Sequence, residues 1–183
     1  TGLVREWSRG FPSADGSSPE DGHPRYCGVA GMNAVPKALA EGLPIRTNDR
    51  AARAERNNGV WTVDTESGAR FHAEKLILTA PLPQSLALLP EHELSELRSR
   101  YPSIEAVEYE RCFAVLLLLD GPSAVPVPGG LQFGGPDIAW LADNTMKGLD
   151  SGPSTLTVHS TPAFAGRYLE SPHDEIAQSI ISQ

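Results

Sequence analysis

Between Ile45 and Leu89 the spacing of apolar residues changes character several times, and each change predicts an element. Ile45 to Glu55 reads as extended chain, and Asn57-Asn58-Gly59 is a hairpin signal. Val60-Trp-Thr-Val-Asp-Thr65 is rich in strand formers, Glu66-Ser67-Gly68 is a second turn, and Ala69 to Ala73 completes a small antiparallel meander. Lys75-Leu-Ile-Leu-Thr-Ala-Pro81 then lacks polar alternation over Leu76 to Ala80, the pattern of a strand covered on both faces. Pro83 to Leu89 and Glu91 to Arg100 have helical spacing, and Tyr101-Pro102 ends the second helix.

On either side of this block the pattern is sparser. Leu3, Val4 and Trp7 fall in a strand near the start, followed from Phe11 to Pro24 by a loop rich in Gly, Ser, Pro and Asp. Tyr26 to Gly31 leads into a helix from Met32 to Glu41, with Pro36 early in it and Gly42 at its stop. Arg111 to Leu119 reads as a core strand, Pro122 to Gly130 as a loop, and Phe133 to Ala142 as a strand bent at Gly134-Gly135-Pro136. Thr155 to Ser160 is a further strand. In the last segment, from His173, Ile176, Ile180 and Ile181 share one helical face. The expected class is α+β: a mixed, largely antiparallel sheet with flanking helices, plus the meander and one buried strand from a second layer. The expected division is 1–28, 29–82 and 83–183, the middle block forming that layer.

The 183 residues are enough for one generous core, and 40% hydrophobic with 21% charged residues is ordinary globular composition. A net charge of -8 disfavours a nucleic-acid surface, since Arg46, Arg50, Arg53 and Arg56 are interleaved with Asp49 and Glu55. The apolar run Phe113 to Leu119 falls far short of the ~18 residues of a membrane span. Cys27 and Cys112 make no disulfide framework, so a reducing cytoplasm is the expected compartment. The missing initiator methionine and a last helix that stops without a capping glycine suggest a piece of a larger protein.

Several kinds of chemistry lack their residues. The five histidines, His23, His72, His92, His159 and His173, have no metal-type spacing to one another or to a cysteine. No Gly-x-Ser-x-Gly elbow is present. Gly28-x-x-Gly31 before a helix resembles a phosphate-cradling turn, but no P-loop lysine follows, and a turn for close backbone packing is the competing reading.

Taken in order, Tyr26-Cys-Gly-Val-Ala-Gly-Met32, Leu78-Thr-Ala-Pro81 and Pro83-Gln-Ser-Leu-Ala-Leu-Leu89 resemble the flavin-containing amine oxidoreductases, in particular their renalase-like bacterial branch. Ile138-Ala-Trp-Leu-Ala-Asp-Asn144, Thr157-Val-His-Ser-Thr-Pro-Ala-Phe164 and Tyr168-Leu-Glu170 extend the likeness from about Trp7 to the end. The resemblance implies an FAD-binding domain interleaved with a substrate domain. It puts Arg50 and Ala51 near the adenine, Thr79, Ala80 and Pro81 beside the dinucleotide, and Gly31 and Met32 at a helix amino end near the flavin. Trp140, Asn144 and His159 would face a small-molecule substrate, with Lys147 and Phe164 at matching positions. Each of these also has a plain structural reading: sheet core, a turn, a loop cation or packing.

The chemistry implied is hydride transfer from an amine or a dihydronicotinamide-type donor to flavin, with dioxygen as acceptor; it needs no protein nucleophile. The family's Gly-x-Gly-x-x-Gly is absent from the 183 residues, so the expectation is a chain that holds no FAD by itself and self-associates through apolar surface around residues 29–82. Two rival readings remain: a non-catalytic α+β ligand-binding or interaction module, and a hydrolase using Cys27.

Overall fold

A computed structural model describes residues 2–17, 22–149 and 152–183. Residues 18–21, within the expected loop from Phe11 to Pro24, and Thr1 lie outside the described set. In chain order the elements are β1 (Val4–Ser8), β2 (Arg25–Gly28), α1 (Ala34–Leu39), β3 (Ala51–Asn57), β4 (Val60–Thr65), β5 (Arg70–Ala73), α2 (Leu82–Leu86) and α3 (Glu91–Arg100). After a short 3-10 turn follow β6 (Ala114–Leu118), β7 (Gly130–Gln132), β8 (Ile138–Asp143), β9 (Thr155–Ser160), α4 (Pro162–Arg167) and α5 (His173–Ile181). The class is α+β, and every pairing between these strands is antiparallel. The chain divides into two compact units, one of Thr1–Gly42 with Glu110–Gln183, the other Leu43–Tyr109.

The first unit is built on a four-stranded sheet in the order β6-β9-β8-β7. Alternation along β9 sorts its two faces: Leu156, Val158 and Ser160 are buried, while Thr155, Thr157 and His159 are half-buried. Val158 joins Phe164, Ile176 and Ile180 in the core, with Phe113, Val115, Leu117, Ile138, Leu141 and Tyr168 packed around them. The helices cover this face because their sequences present matching stripes. Ile176 and Ile180 are four residues apart on α5, and the Thr161 hydroxyl caps α4 by accepting from the Phe164 N–H at 3.1 Å. Ile181, expected on the same face of α5, is exposed. A separate two-stranded ribbon pairs β1 with β2.

The unbroken run Phe113 to Leu119 is not a core strand. It forms the edge strand β6, in which Val115 and Leu117 face the core while Leu116 and Leu118 stay 75% and 72% exposed. Both faces carry leucine, so the sequence shows no alternation although the burial does.

The second unit holds the meander β3-β4-β5 with α2 and α3. The hairpin between β3 and β4 turns where it was expected, with Asn58 and Gly59 at φ 51° and 85°. Two successive positive φ values match the right-handed twist of the strands and are the reason for Asn-Gly there. The expected buried strand is corrected. Residues 75–79 run on after β5 without joining any sheet among the described residues, and Ile77 is 84% exposed. A strand needs a neighbour for its peptide groups, and none of the described strands pairs with this one.

Core truncation should separate the faces of α5. Ile176→Ala is expected to lower the stability of its unit by about 2–5 kcal/mol, and Ile181→Ala by less than about 0.5 kcal/mol, read from urea unfolding followed by circular dichroism.

Candidate functional site

In the second unit, the start of β3, the turn after β4 and the approach to α2 enclose a concavity of about 470 Å³. Its lining is Arg50, Ala51, Ala52, Glu66, Ala80, Gln84, Ala87 and Leu88. The surrounding backbone is tied together on three sides. Glu66 N–H donates to the Arg50 carbonyl at 2.9 Å, Ala54 N–H to the Leu88 carbonyl at 2.7 Å, and Ser85 Oγ to the Ala80 carbonyl at 2.8 Å. Ala54 is fully buried, which seats α2 directly on β3. Four of the lining side chains are alanines, so the walls are close to bare backbone. Gln84 supplies an amide, and Arg50 and Glu66 form an exposed ion pair with 3.5 Å between Nε and Oε1. Such a slot suits a planar group whose faces meet methyls and whose edge meets peptide or amide groups.

The structure therefore gathers Arg50, Ala51 and Ala80 around one concavity, with Thr79 and Pro81 flanking Ala80 along the chain but not lining it. Glu66, Ala87 and Leu88 belong to the same lining, although the sequence marks Glu66 only as a turn residue and Ala87 and Leu88 only as part of the Pro83–Leu89 motif.

The other predicted residues lie in the first unit. Gly31 and Met32 follow β2, a strand the sequence reading took only as a lead into the helix. Gly31 N–H donates to the Gly28 carbonyl at 3.2 Å, closing a tight turn, and Met32 Sδ lies 3.2 Å from the Gly28 nitrogen. A Cβ on Gly28 would sit 2.2 Å from the Gly31 oxygen, so glycine serves close backbone approach there. The helix starts at Ala34 rather than Met32 and has six residues, too short for a substantial end charge at Gly31 and Met32.

Trp140 lies on β8 opposite His159 of β9 and Gln132 of β7, so the three share the sheet face away from α4 and α5. Its ring packs edge-on against Phe11 at 4.7 Å and Trp7 at 6.1 Å between centroids. Trp7 Nε1 donates to the Pro128 carbonyl at 2.7 Å, and Lys147 Nζ lies 4.2 Å from the Trp7 ring centroid. Burial lowers the Lys147 ammonium pKa, while the nearby Cys27 acts in the opposite direction. Asn144 is tied to β9: its Nδ2 donates to Thr157 Oγ1 at 3.0 Å and its N–H to the Thr155 carbonyl at 2.8 Å. Phe164 is 1% exposed and stacks on Tyr168 at 4.5 Å, a core position.

Beside Asn144 the sequence reading missed Asp143, a carboxylate only 2% exposed. It accepts from Ser123 Oγ and from the Met146 N–H, the latter at 2.9 Å, and so holds the turn that carries Asn144 and Lys147. Among the described residues no group of His, Cys, Asp and Glu is placed to hold a metal ion, and no helix is long and apolar enough to cross a membrane.

The sequence profile of the flavin containing amine oxidoreductases matches residues 14–183. The chain belongs to that family. Renalase of Mus musculus is 22% identical over 177 residues, which cover 92% of this chain and 52% of that protein. Among solved structures, a wild-type putrescine oxidase bound to putrescine superposes with a TM-score of 0.62 at 17% identity, over 87% of this chain and 35% of the oxidase. A fatty acid isomerase from P. acnes, described as producing CLA, gives 0.57 at 14% identity, over 83% of this chain and 35% of its own. The chain thus spans about half the length of the curated relative and about a third of these solved chains. At these identities the solved structures establish likeness of fold.

Asp143→Ala leaves a buried hydroxyl and an N–H without their acceptor, a loss of roughly 1–3 kcal/mol for each buried group left unsatisfied. Asp143→Asn, which keeps an acceptor oxygen, should recover most of it. Thermal denaturation of the two variants beside the parent checks the order.

Proposed function

We propose that this chain forms the adenine-side wall and the substrate sheet of an FAD-dependent oxidoreductase. The enzyme would take a hydride from an amine or dihydronicotinamide-type donor, with dioxygen as the final acceptor. The observation that carries the reading is family membership over residues 14–183 together with the alanine-walled slot around Arg50, Ala51 and Ala80.

The slot fits the adenine end of FAD on its own chemistry. Ala51, Ala52, Ala80 and Ala87 leave room for a flat ring, Gln84 and the exposed peptide edges offer partners to its nitrogens, and the guanidinium of Arg50 favours an anionic tail. When bound, the flavin supplies the hydride acceptor, and the protein's part is to orient the donor and exclude water. In this chain that part falls to the open face of the β6-β9-β8-β7 sheet. Trp140 offers a flat wall held in place by Phe11 and Trp7, and His159 stands opposite it across the strand pair. Asn144 is held by Thr157 and acts through that contact to fix the rim rather than as a free amide. The sequence has no Gly-x-Gly-x-x-Gly to supply pyrophosphate N–H groups, so tight FAD binding is assigned to the polypeptide of the whole gene.

Purified from the whole gene, the protein should be yellow, should bleach anaerobically with one of the two donor classes, and should recover colour in air with release of peroxide. Ala80→Leu, which fills the slot, should weaken FAD binding at least about tenfold, or about 1.4 kcal/mol, with folding unchanged by circular dichroism. A colourless full-length protein, or one that neither donor class bleaches, would point instead to a non-catalytic binding module. The 183-residue chain alone should purify without colour.

A further inference from the structure

Where the ribbon β1-β2 meets the turn after β8, the first unit builds a small hollow whose cations have no anion. Cys27 is buried, and its Sγ donates to the Lys147 carbonyl at 3.8 Å, which seats the ribbon on that turn. Arg5 stands opposite Cys27 across the ribbon. Between Glu6 and Ser8 the register shifts, so Trp7 is an extra residue on β1. A bulge of this kind re-aims side chains that would otherwise alternate. As a result Arg5, Glu6 and Trp7 all line one hollow of about 310 Å³, closed by Val127, Pro128 and Met146.

Both cations are placed by the fold. A Cβ on Gly148 would sit 2.5 Å from Arg5 Nη2 and 3.0 Å from its Cζ, so the missing side chain at 148 makes room for the guanidinium. Lys147, the preceding residue, holds its Nζ 4.2 Å from the Trp7 ring centroid, and burial strips water from its ammonium. Neither side chain forms an ion pair or donates a hydrogen bond among the described residues. The carboxylate in the lining, Glu6, is already occupied: it accepts from Arg9 Nε at 2.7 Å and from Nη2 at 3.0 Å. The hollow is therefore positive on a chain whose net charge is -8. We propose that Arg5 and Lys147 form an oxyanion site, which holds the phosphate or carboxylate of a small ligand whose flat ring lies against Trp7.

The parts of the hollow set the chemistry of that ligand. A guanidinium fork with an ammonium nearby matches the oxygens of a phosphate or a carboxylate. Trp7 offers a wall that is held in place, since its Nε1 donates to the Pro128 carbonyl at 2.7 Å and its ring packs edge-on against Phe11 at 4.7 Å between centroids. A cationic amine would meet two positive groups and no free carboxylate, so the same arrangement selects against it. The volume lies at the low end of the about 300–1,000 Å³ of small-molecule sites, which suits one ring with its anionic group and not a dinucleotide. Trp7 also braces Trp140, so an anion seated here lies next to the open face of the sheet. The inference stands apart from the flavin reading, and its test needs no cofactor.

Titration of the 183-residue chain, followed by the indole N–H signals of Trp7, Trp61 and Trp140 in two-dimensional NMR, tests the site. Phenyl phosphate should move the Trp7 signal saturably and leave Trp61 where it is. Benzylamine, with a similar ring and the opposite charge, should move neither. Inorganic phosphate, which lacks the ring, should bind at least about tenfold more weakly than the ester. Arg5→Gln and Lys147→Gln should each weaken phenyl phosphate binding at least about tenfold, and Lys147→Arg, which keeps the charge, should retain most of it. Benzylamine binding as well as phenyl phosphate, inorganic phosphate binding as tightly as the ester, an affinity indifferent to both glutamine variants, or a shift confined to Trp61 would overturn the proposal. Arg5 and Lys147 lie on different segments, so one glutamine variant keeps the test open should circular dichroism show the other unfolded.

Discussion

The packing of one face of the β6-β9-β8-β7 sheet onto α4 and α5 is the constraint on which the first unit depends. Because side chains alternate along a strand, fixing Val158, Val115 and Leu117 against Phe164, Ile176 and Ile180 also fixes what points the other way. Trp140, His159, Thr157, Leu116 and Leu118 are displayed as a consequence of that choice. A slip of one residue would exchange the faces, exposing the core set and burying a histidine and two threonines. Any ligand role for the open face is therefore secured by apolar contacts on the opposite side of the sheet.

The open face is not uniform. Near β8 it is braced by contacts: Trp140 packs against Phe11 and Trp7, Trp7 is held by the Pro128 carbonyl, and Asp143 ties the turn beyond. Towards β6 it has no such support and ends in exposed leucines. A braced aromatic wall is what orientation of a flat donor requires. The slot in the second unit works on a different basis, since its alanines contribute by being small.

What the sequence disclosed follows from how local each feature is. The Asn58-Gly59 turn, the helix Glu91–Arg100 and the strand Thr155–Ser160 come from short-range preferences and were legible to the residue or nearly so. The strands Arg25–Gly28 and Gly130–Gln132 are short and exist because a neighbour pairs with them, so little in their own residues announces them. The helix Pro162–Arg167 did carry a signal, a Thr cap followed by Pro at the first turn, which was read only as part of a motif. For the site, Ala51 and Ala80 were placed by motif order. Glu66 reaches the same slot through folding of the meander and Ala87 through the seating of α2 on β3, and Phe11 meets Trp140 across more than a hundred residues of chain.

Two segments with nearly the same composition show where pattern stops being informative. Leu76-Ile-Leu-Thr-Ala80 and Ala114-Val-Leu-Leu-Leu118 are both short apolar runs without alternation, so both read as buried strands. One joins a sheet and leaves its outer face and edge bare; the other joins none among the described strands and leaves Ile77 in solvent. Propensity says that a segment can be a strand, but membership in a sheet is a property of the neighbour. Apolar residues kept on both faces of such a segment are costly in water. In this chain that cost falls on Ile77, Leu116 and Leu118, and the same burial pattern that seats Val115 and Leu117 in the core is what leaves the last two in solvent.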